Sequence, residues 1–146
     1  MRARLPLACL ATIAVADYVI ARHTPPWLAI ALFDHPAHLA TAALLGGTDS
    51  VYLAGSVLPD LDHIPQALGH PQVGAARPNT HSLIVVAAAV AVSPRLAAGA
   101  AAHFVRDLAV GPGLPLVWPL SRRRFRAPYG AYALLVFATA YSRSRP

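Results

Sequence analysis

The chain is expected to fold as an all-α, polytopic transmembrane helical bundle, with about four to five membrane helices and a polar loop near residues 59–80. Of its 146 residues 56% are hydrophobic and only 12% are charged, against roughly 25% charged in ordinary soluble domains. The apolar residues fall in long runs broken by proline, glycine and arginine. The arginines punctuate the ends of those runs, which is how arginine marks membrane topology.

By length the chain is one domain. Residues 1–26 hold the first membrane helix or a possible signal segment, 27–128 the core that carries the polar groups, and 129–146 a last membrane helix and tail. Residues 5–21 are interrupted only by Pro6, Thr12 and Asp17, long enough to cross ~30 Å of hydrocarbon at ~1.5 Å per residue. The alternative is a secretory signal cleaved after Ala14-Val15-Ala16. Residues 27–45 form the second run, entered at Trp27 and stopped at Gly46-Gly47, with Pro36 predicted to kink it. Residues 51–58 are too short to span and read as a re-entrant or interfacial piece.

Residues 59–79 hold Pro59, Pro65, Pro71 and Pro78 and read as a loop with one helical turn. Thr80 or Asn79 is predicted to cap a third helix running to Ser93, and Ser93-Pro94 to start a fourth running to Val110. Gly111-Pro112-Gly113 then forces a turn, residues 114–120 suit the interface around Trp118, and residues 127–141 form the last helix. The arginine pattern fits five crossings with the N-terminus inside.

The net charge of +6 does not point to nucleic acid, because a binding footprint needs arginines gathered on one folded face. Cys9 is the single cysteine, so neither an intrachain disulfide nor a thiolate metal site exists. No Gly-x-Ser-x-Gly elbow and no glycine-rich phosphate loop occurs.

Against this apolar background stand Asp34-His35-x-x-His38, Asp60-Leu61-Asp62-His63, His81 and His103-x-x-x-Asp107. Ionisable groups at bilayer depth cost several kcal/mol each unless something holds them, and a divalent metal is the expected holder. His103 and Asp107, like Asp34 and His38, lie four apart, which puts each pair on one helix face with Cβ atoms roughly 5–6 Å apart. The competing reading of each pair is a hydrogen bond between helices, and that of Asp60 or Asp62 is a helix cap. The predicted topology drops all these groups into one layer near the cytoplasmic face. With no thiolate and too many ligands for one tetrahedral ion, the expected cofactor is two or more divalent ions, zinc or manganese. Arg77 or Arg106 could clamp a phosphate bidentately, or serve only to mark topology.

Three stretches resemble a known family: Gly55-Ser-Val-Leu-Pro-Asp-Leu-Asp-His63, Arg77-Pro-Asn-Thr-His-Ser-Leu83, and His103-Phe-Val-Arg-Asp107 followed by Gly111-Pro-Gly-Leu-Pro-Leu-Val-Trp-Pro119. They are similar, over about residues 30–128, to the inner-membrane metal-dependent hydrolases of the YdjM type. More distantly they resemble the zinc-dependent phospholipase C and nuclease P1 group, in which His-x-x-x-Asp pairs on helices hold zinc. The resemblance implies metal roles for Asp60, Asp62, His63, His81, His103 and Asp107, with Asp34 and His38 added from their own spacing. Asp62, His81 and Arg77 are the expected catalytic residues. The family writes His-Arg-Gly-x-Thr-His where this chain has Ala76-Arg77-Pro78-Asn79-Thr80-His81, so one histidine of the pattern is absent; His70 or the Asp34/His38 pair would have to replace it. The implied protein is a multi-pass enzyme of the bacterial inner membrane that hydrolyses a small-molecule or lipid phosphoester through metal-activated water. A metal-binding or metal-transport protein without catalysis is the competing class, and a structural protein whose polar residues join helices is the third.

Overall fold

The computed structural model describes residues 4–23, 27–64 and 80–145, with the side chains of 23, 27–31 and 62 outside the description. Its elements are all helical: α1 (Arg4–His23), α2 (Trp27–Gly46), α3 (Ser50–Gly55), a 3₁₀ helix (Leu58–His63), α4 (Leu83–Val92), α5 (Pro94–Ala109) and α6 (Tyr129–Ser144). The only β-pairing among the described residues is an isolated antiparallel bridge between Leu114 and Phe125.

α1, α2 and α6 share one apolar core, to which α1 gives Cys9, Ile13 and Ala16, α2 gives Ala37, Ala40 and Leu44, and α6 gives Tyr132, Val136 and Ala140. These positions recur every three or four residues, the period that keeps side chains on one helix face. The abundance of alanine lets the backbones approach closely, as in helix pairs packed within lipid. Cys9 is buried and free. The polar interruptions foreseen in α1 are both satisfied, since Thr12 donates its hydroxyl to the Ala8 carbonyl at 3.0 Å and Asp17 pairs with Arg106 at 2.7 Å.

The expectation of four to five membrane helices is met only in its coarser form. Among the described residues one stretch, Arg4–Arg22 in α1, is long and apolar enough to cross a membrane, or to serve as a signal sequence; α4 is apolar but has ten residues. Pro36 lies within α2, which continues as one helix to Gly46. The third helix begins at Leu83, three residues later than its expected cap, while Ser93 and Pro94 do separate α4 from α5. Ser93 accepts a hydrogen bond from the Arg95 amide at 3.2 Å, the side-chain cap that such a position favours. The piece expected to be re-entrant is divided between α3 and the 3₁₀ helix. Asp49 caps α3 through the Tyr52 amide at 3.0 Å and takes the Arg95 guanidinium at 3.1 Å.

Two glycines bring α3 and α5 together. A Cβ at Gly55 would collide with the Leu96 carbonyl oxygen, and one at Gly99 with the Tyr52 carbonyl oxygen. Only glycine permits that approach, and it sets Ser56, the next residue after α3, against the α5 face that carries His103.

Candidate metal centre

Residues from four segments meet at the junction of α2, the 3₁₀ helix, the start of α4 and α5. Asp34, His35 and His38 come from α2, Asp60 and His63 from the 3₁₀ helix, His81 from the turn before α4, and His103 and Asp107 from α5. His38, His81, His103 and Asp107 are fully buried, whereas His63 is partly open and the side chain of His35 is 41% exposed. The cluster is therefore closed on the α5 side and open along a rim formed by His35 and His63.

Asp60 is its hub. One carboxylate oxygen lies 3.4 Å from His81 Nε2, 3.5 Å from His103 Nε2 and 3.6 Å from His63 Nε2, while the other lies 3.1 Å from His35 Nε2. Burial by itself would raise the Asp60 carboxyl, but the hydrogen bonds from His35 and His81 outweigh it and hold the group well below the usual carboxylate range. Asp107 is a second hub, with Oδ1 3.3 Å from His38 Nε2 and Oδ2 3.1 Å from His103 Nε2 and 3.4 Å from His81 Nε2.

A backbone carbonyl decides which nitrogen His103 presents. His103 Nδ1 is 2.7 Å from the Ser56 carbonyl oxygen. A carbonyl only accepts, so Nδ1 carries the proton, the outer hydrogen bond that fixes most metal-ligating histidines. Nε2 is left without a hydrogen-bond partner and facing two carboxylates. A neutral imidazole there turns a lone pair toward other lone pairs, which is unfavourable unless a cation lies between them. His81 also turns Nε2 toward both carboxylates, 3.4 Å from Asp60 and 3.4 Å from Asp107, with Nδ1 3.3 Å from the Thr80 hydroxyl. His38 stacks on His103 with ring centroids 3.8 Å apart and planes within 7°.

The donor set fits divalent cations. Four groups of three side chains have ligand atoms within 4.8 Å of one another: Asp60, His63 and His81; Asp34, His38 and Asp107; His38, Asp60 and His103; and His81, His103 and Asp107. The first two share no residue, so the cluster offers two separate ligand triads, and His103 stands between them. Imidazole nitrogen with carboxylate oxygen and no sulfur suits zinc or manganese over copper(I) or an iron–sulfur cluster. The structure thus shows a buried His/Asp cluster able to hold a metal ion.

Of the residues expected to bind metal, Asp34, His38, Asp60, His63, His81, His103 and Asp107 are brought together. Arg77 and the side chain of Asp62, together with His70 and Ala76, lie outside the described residues. Arg106 is engaged within the protein. It lies in the last turn of α5 and is fully buried among side-chain partners: Nε and Nη2 donate to Asp34 Oδ1 at 3.0 and 2.9 Å, Nη2 lies 2.7 Å from Asp17 Oδ1, and Nη1 donates to the Tyr132 hydroxyl at 3.3 Å. Tyr132 in turn lies 2.7 Å from the Thr41 hydroxyl, and Tyr129 donates to Asp17 Oδ2 at 2.7 Å. This network ties α1, α2, α5 and α6 to one guanidinium and holds one oxygen of Asp34, leaving the other 3.5 Å from His38.

His35 was not among the expected ligands, although its place three residues before His38 on the same helix was a signal for it. The Ser56 carbonyl and the Asp17–Arg106 pair had none, since each depends on how distant helices cross.

The described residues thus form an all-helical protein built around a buried His/Asp cluster that could hold a metal ion. Comparison of the chain with family models, with curated proteins and with solved structures finds no match.

Proposed function

We propose that the protein is a membrane-bound, metal-dependent hydrolase acting on a phosphoester, in which His38, His63, His81, His103, Asp34, Asp60 and Asp107 hold two divalent ions. The observation that carries this reading is the pair of separate ligand triads in one partly open cluster.

Charge balance supports two ions over one. Asp17, Asp34, Asp60 and Asp107 are between 2% and 23% exposed at the side chain and share a single buried cation, Arg106. Among the described residues the four carboxylates and Arg106 sum to three negative charges, set against histidines that are cationic only when protonated. One divalent ion would leave the site anionic and repel a phosphate. Two would leave it weakly cationic, which suits a phosphoester. When bound, such ions polarise a phosphoryl oxygen and supply an activated water at neutral pH.

The chain's own residues supply the rest. Ser56 and Thr80 aim His103 and His81, Arg106 holds Asp34, and the buried α5 side keeps water out. The rim at His35 and His63 is where a substrate enters. Ligands gathered at one depth favour chemistry over transport, which needs them strung across the bilayer. Placement in a membrane is supported by α1 and by large apolar side chains turned outward on three helices: Leu7 and Val15 of α1, Val90 and Val92 of α4, and Leu134 and Phe137 of α6. The motif resemblance to the YdjM-type inner-membrane hydrolases points the same way and adds a bacterial inner-membrane, multi-pass setting.

The test is a hydrolysis screen of the zinc- or manganese-loaded chain against phosphomonoester, phosphodiester and phospholipid substrates. Turnover of one class, lost in Asp60→Asn, supports the reading. Stoichiometric metal with no turnover of any class favours the non-enzymatic metal-binding protein.

A further inference from the structure

The segment between α5 and α6 carries a feature that the metal centre leaves unused. Residues 108–146 hold six arginines and no acidic residue, and four of the six, Arg122, Arg123, Arg124 and Arg126, fall within five positions. The segment is held in a defined shape. Leu114 and Phe125 exchange backbone hydrogen bonds at 3.0 and 2.9 Å, and the side chain of Leu114 is fully buried as its anchor. Gly111 and Gly113 take positive φ values of 101° and 84°, the left-handed region that favours glycine, and so permit the tight return.

Its two anchor points lie beside the metal centre. The Ala127 amide donates to the Leu108 carbonyl at 2.7 Å, one residue from Asp107, and the Leu83 amide donates to the Leu116 carbonyl at 2.9 Å, two residues from His81. Leu120 is 91% exposed, and Arg122, Arg123 and Arg126 in the residues that follow it are exposed too, Arg123 lying over the Phe125 ring at 5.7 Å. Arg124 is turned inward, onto the Gly113 carbonyl. Among the described residues no carboxylate pairs with any of these arginines. A bare leucine costs free energy in water but not in an acyl boundary, and guanidinium groups just above that boundary meet phosphate.

We infer that this loop docks on anionic phospholipid headgroups, with Leu120 inserted and Arg122, Arg123 and Arg126 on the phosphates. The inference rests on the membrane placement proposed above and adds to it a charge class of lipid, held next to the metal centre. Basic clusters immediately flanking a membrane segment gain affinity with each added cation near an anionic surface.

Trp118 reports on the loop, because Trp27 is the only other tryptophan. The full chain carrying Trp27→Phe is placed in nanodiscs of phosphatidylcholine with a minor fraction of phosphatidylglycerol, and either lipid is brominated in turn. At equal mole fraction, brominated phosphatidylglycerol is expected to quench Trp118 several-fold more strongly than brominated phosphatidylcholine, the difference shrinking as salt is raised. The triple variant Arg122→Gln/Arg123→Gln/Arg126→Gln is expected to lose the difference while keeping its metal content. Equal quenching in the parent chain, or an undiminished preference in the triple variant, would overturn the inference, as would its abolition by inorganic phosphate at matched ionic strength. Release of the chain from membranes by alkaline carbonate would instead overturn the membrane placement and the inference with it.

Discussion

His103 Nδ1 lies 2.7 Å from the carbonyl oxygen of Ser56, a residue 47 positions earlier. That bond turns the other ring nitrogen toward Asp60 and Asp107 and makes His103 a donor to a cation. His103 and Asp107 together reach three of the four ligand groups. The double substitution His103→Ala/Asp107→Ala is therefore expected to weaken metal binding by more than ~100-fold, beyond the 10–100-fold typical of losing an outer partner alone. Titration of the stripped protein with zinc measures it.

The geometry of that bond depends on the close crossing of α3 and α5. Gly99→Ala places a methyl group against the Tyr52 carbonyl and must push the helices apart. A loss of about 1–3 kcal/mol in stability is expected from overpacking. Because Ser56 moves with α3, zinc affinity should fall as well; an alanine variant that melts earlier but binds zinc as tightly as the parent would detach the crossing from the site.

Arg106 balances two partly buried aspartates. Arg106→Gln leaves Asp17 and Asp34 without their cation and is expected to cost about 3–5 kcal/mol, the range for breaking one side of a buried ion pair. Asp17→Asn, which keeps Asp34 paired, should cost less. Thermal denaturation of the metal-free variants in detergent compares the two.

Asp60 gives a pH dependence with a definite sign. Its folded carboxyl is held below the value of an unfolded aspartate by the surrounding histidines, after they overcome burial. The stability it contributes to the metal-free chain is thus present above about pH 4 and fades as the pH falls below that value. The melting temperature of the parent minus that of Asp60→Asn should be positive at pH 7 and shrink toward pH 3. A difference that grows on acidification would contradict the assignment.

The local part of the site was legible in the sequence, and the part made by helix crossings was not. Asp34/His38 and His103/Asp107 announce themselves by the four-residue spacing that stacks side chains on a helix face, and Pro59-Asp60 announces a helical turn rich in ligands. The extents of α1, α2 and α5 follow from apolar runs bounded by glycine and proline. Arg106 was opaque because an arginine beside an apolar run looks like a topology marker, and its true partner Asp34 lies 72 residues away on another helix. The contact of His35 with Asp60 is silent in the sequence for a related reason: it depends on where the 3₁₀ helix docks against α2.

The central claim is that this cluster holds metal, and elemental analysis of the purified full-length chain tests it most directly. After dialysis against metal-free buffer the chain should retain about two divalent ions, as a two-metal centre requires, and the His103→Ala/Asp107→Ala variant about one at most, since only the Asp60, His63 and His81 triad keeps its ligands. A parent chain that retains none and takes up none when zinc or manganese is supplied would contradict the account.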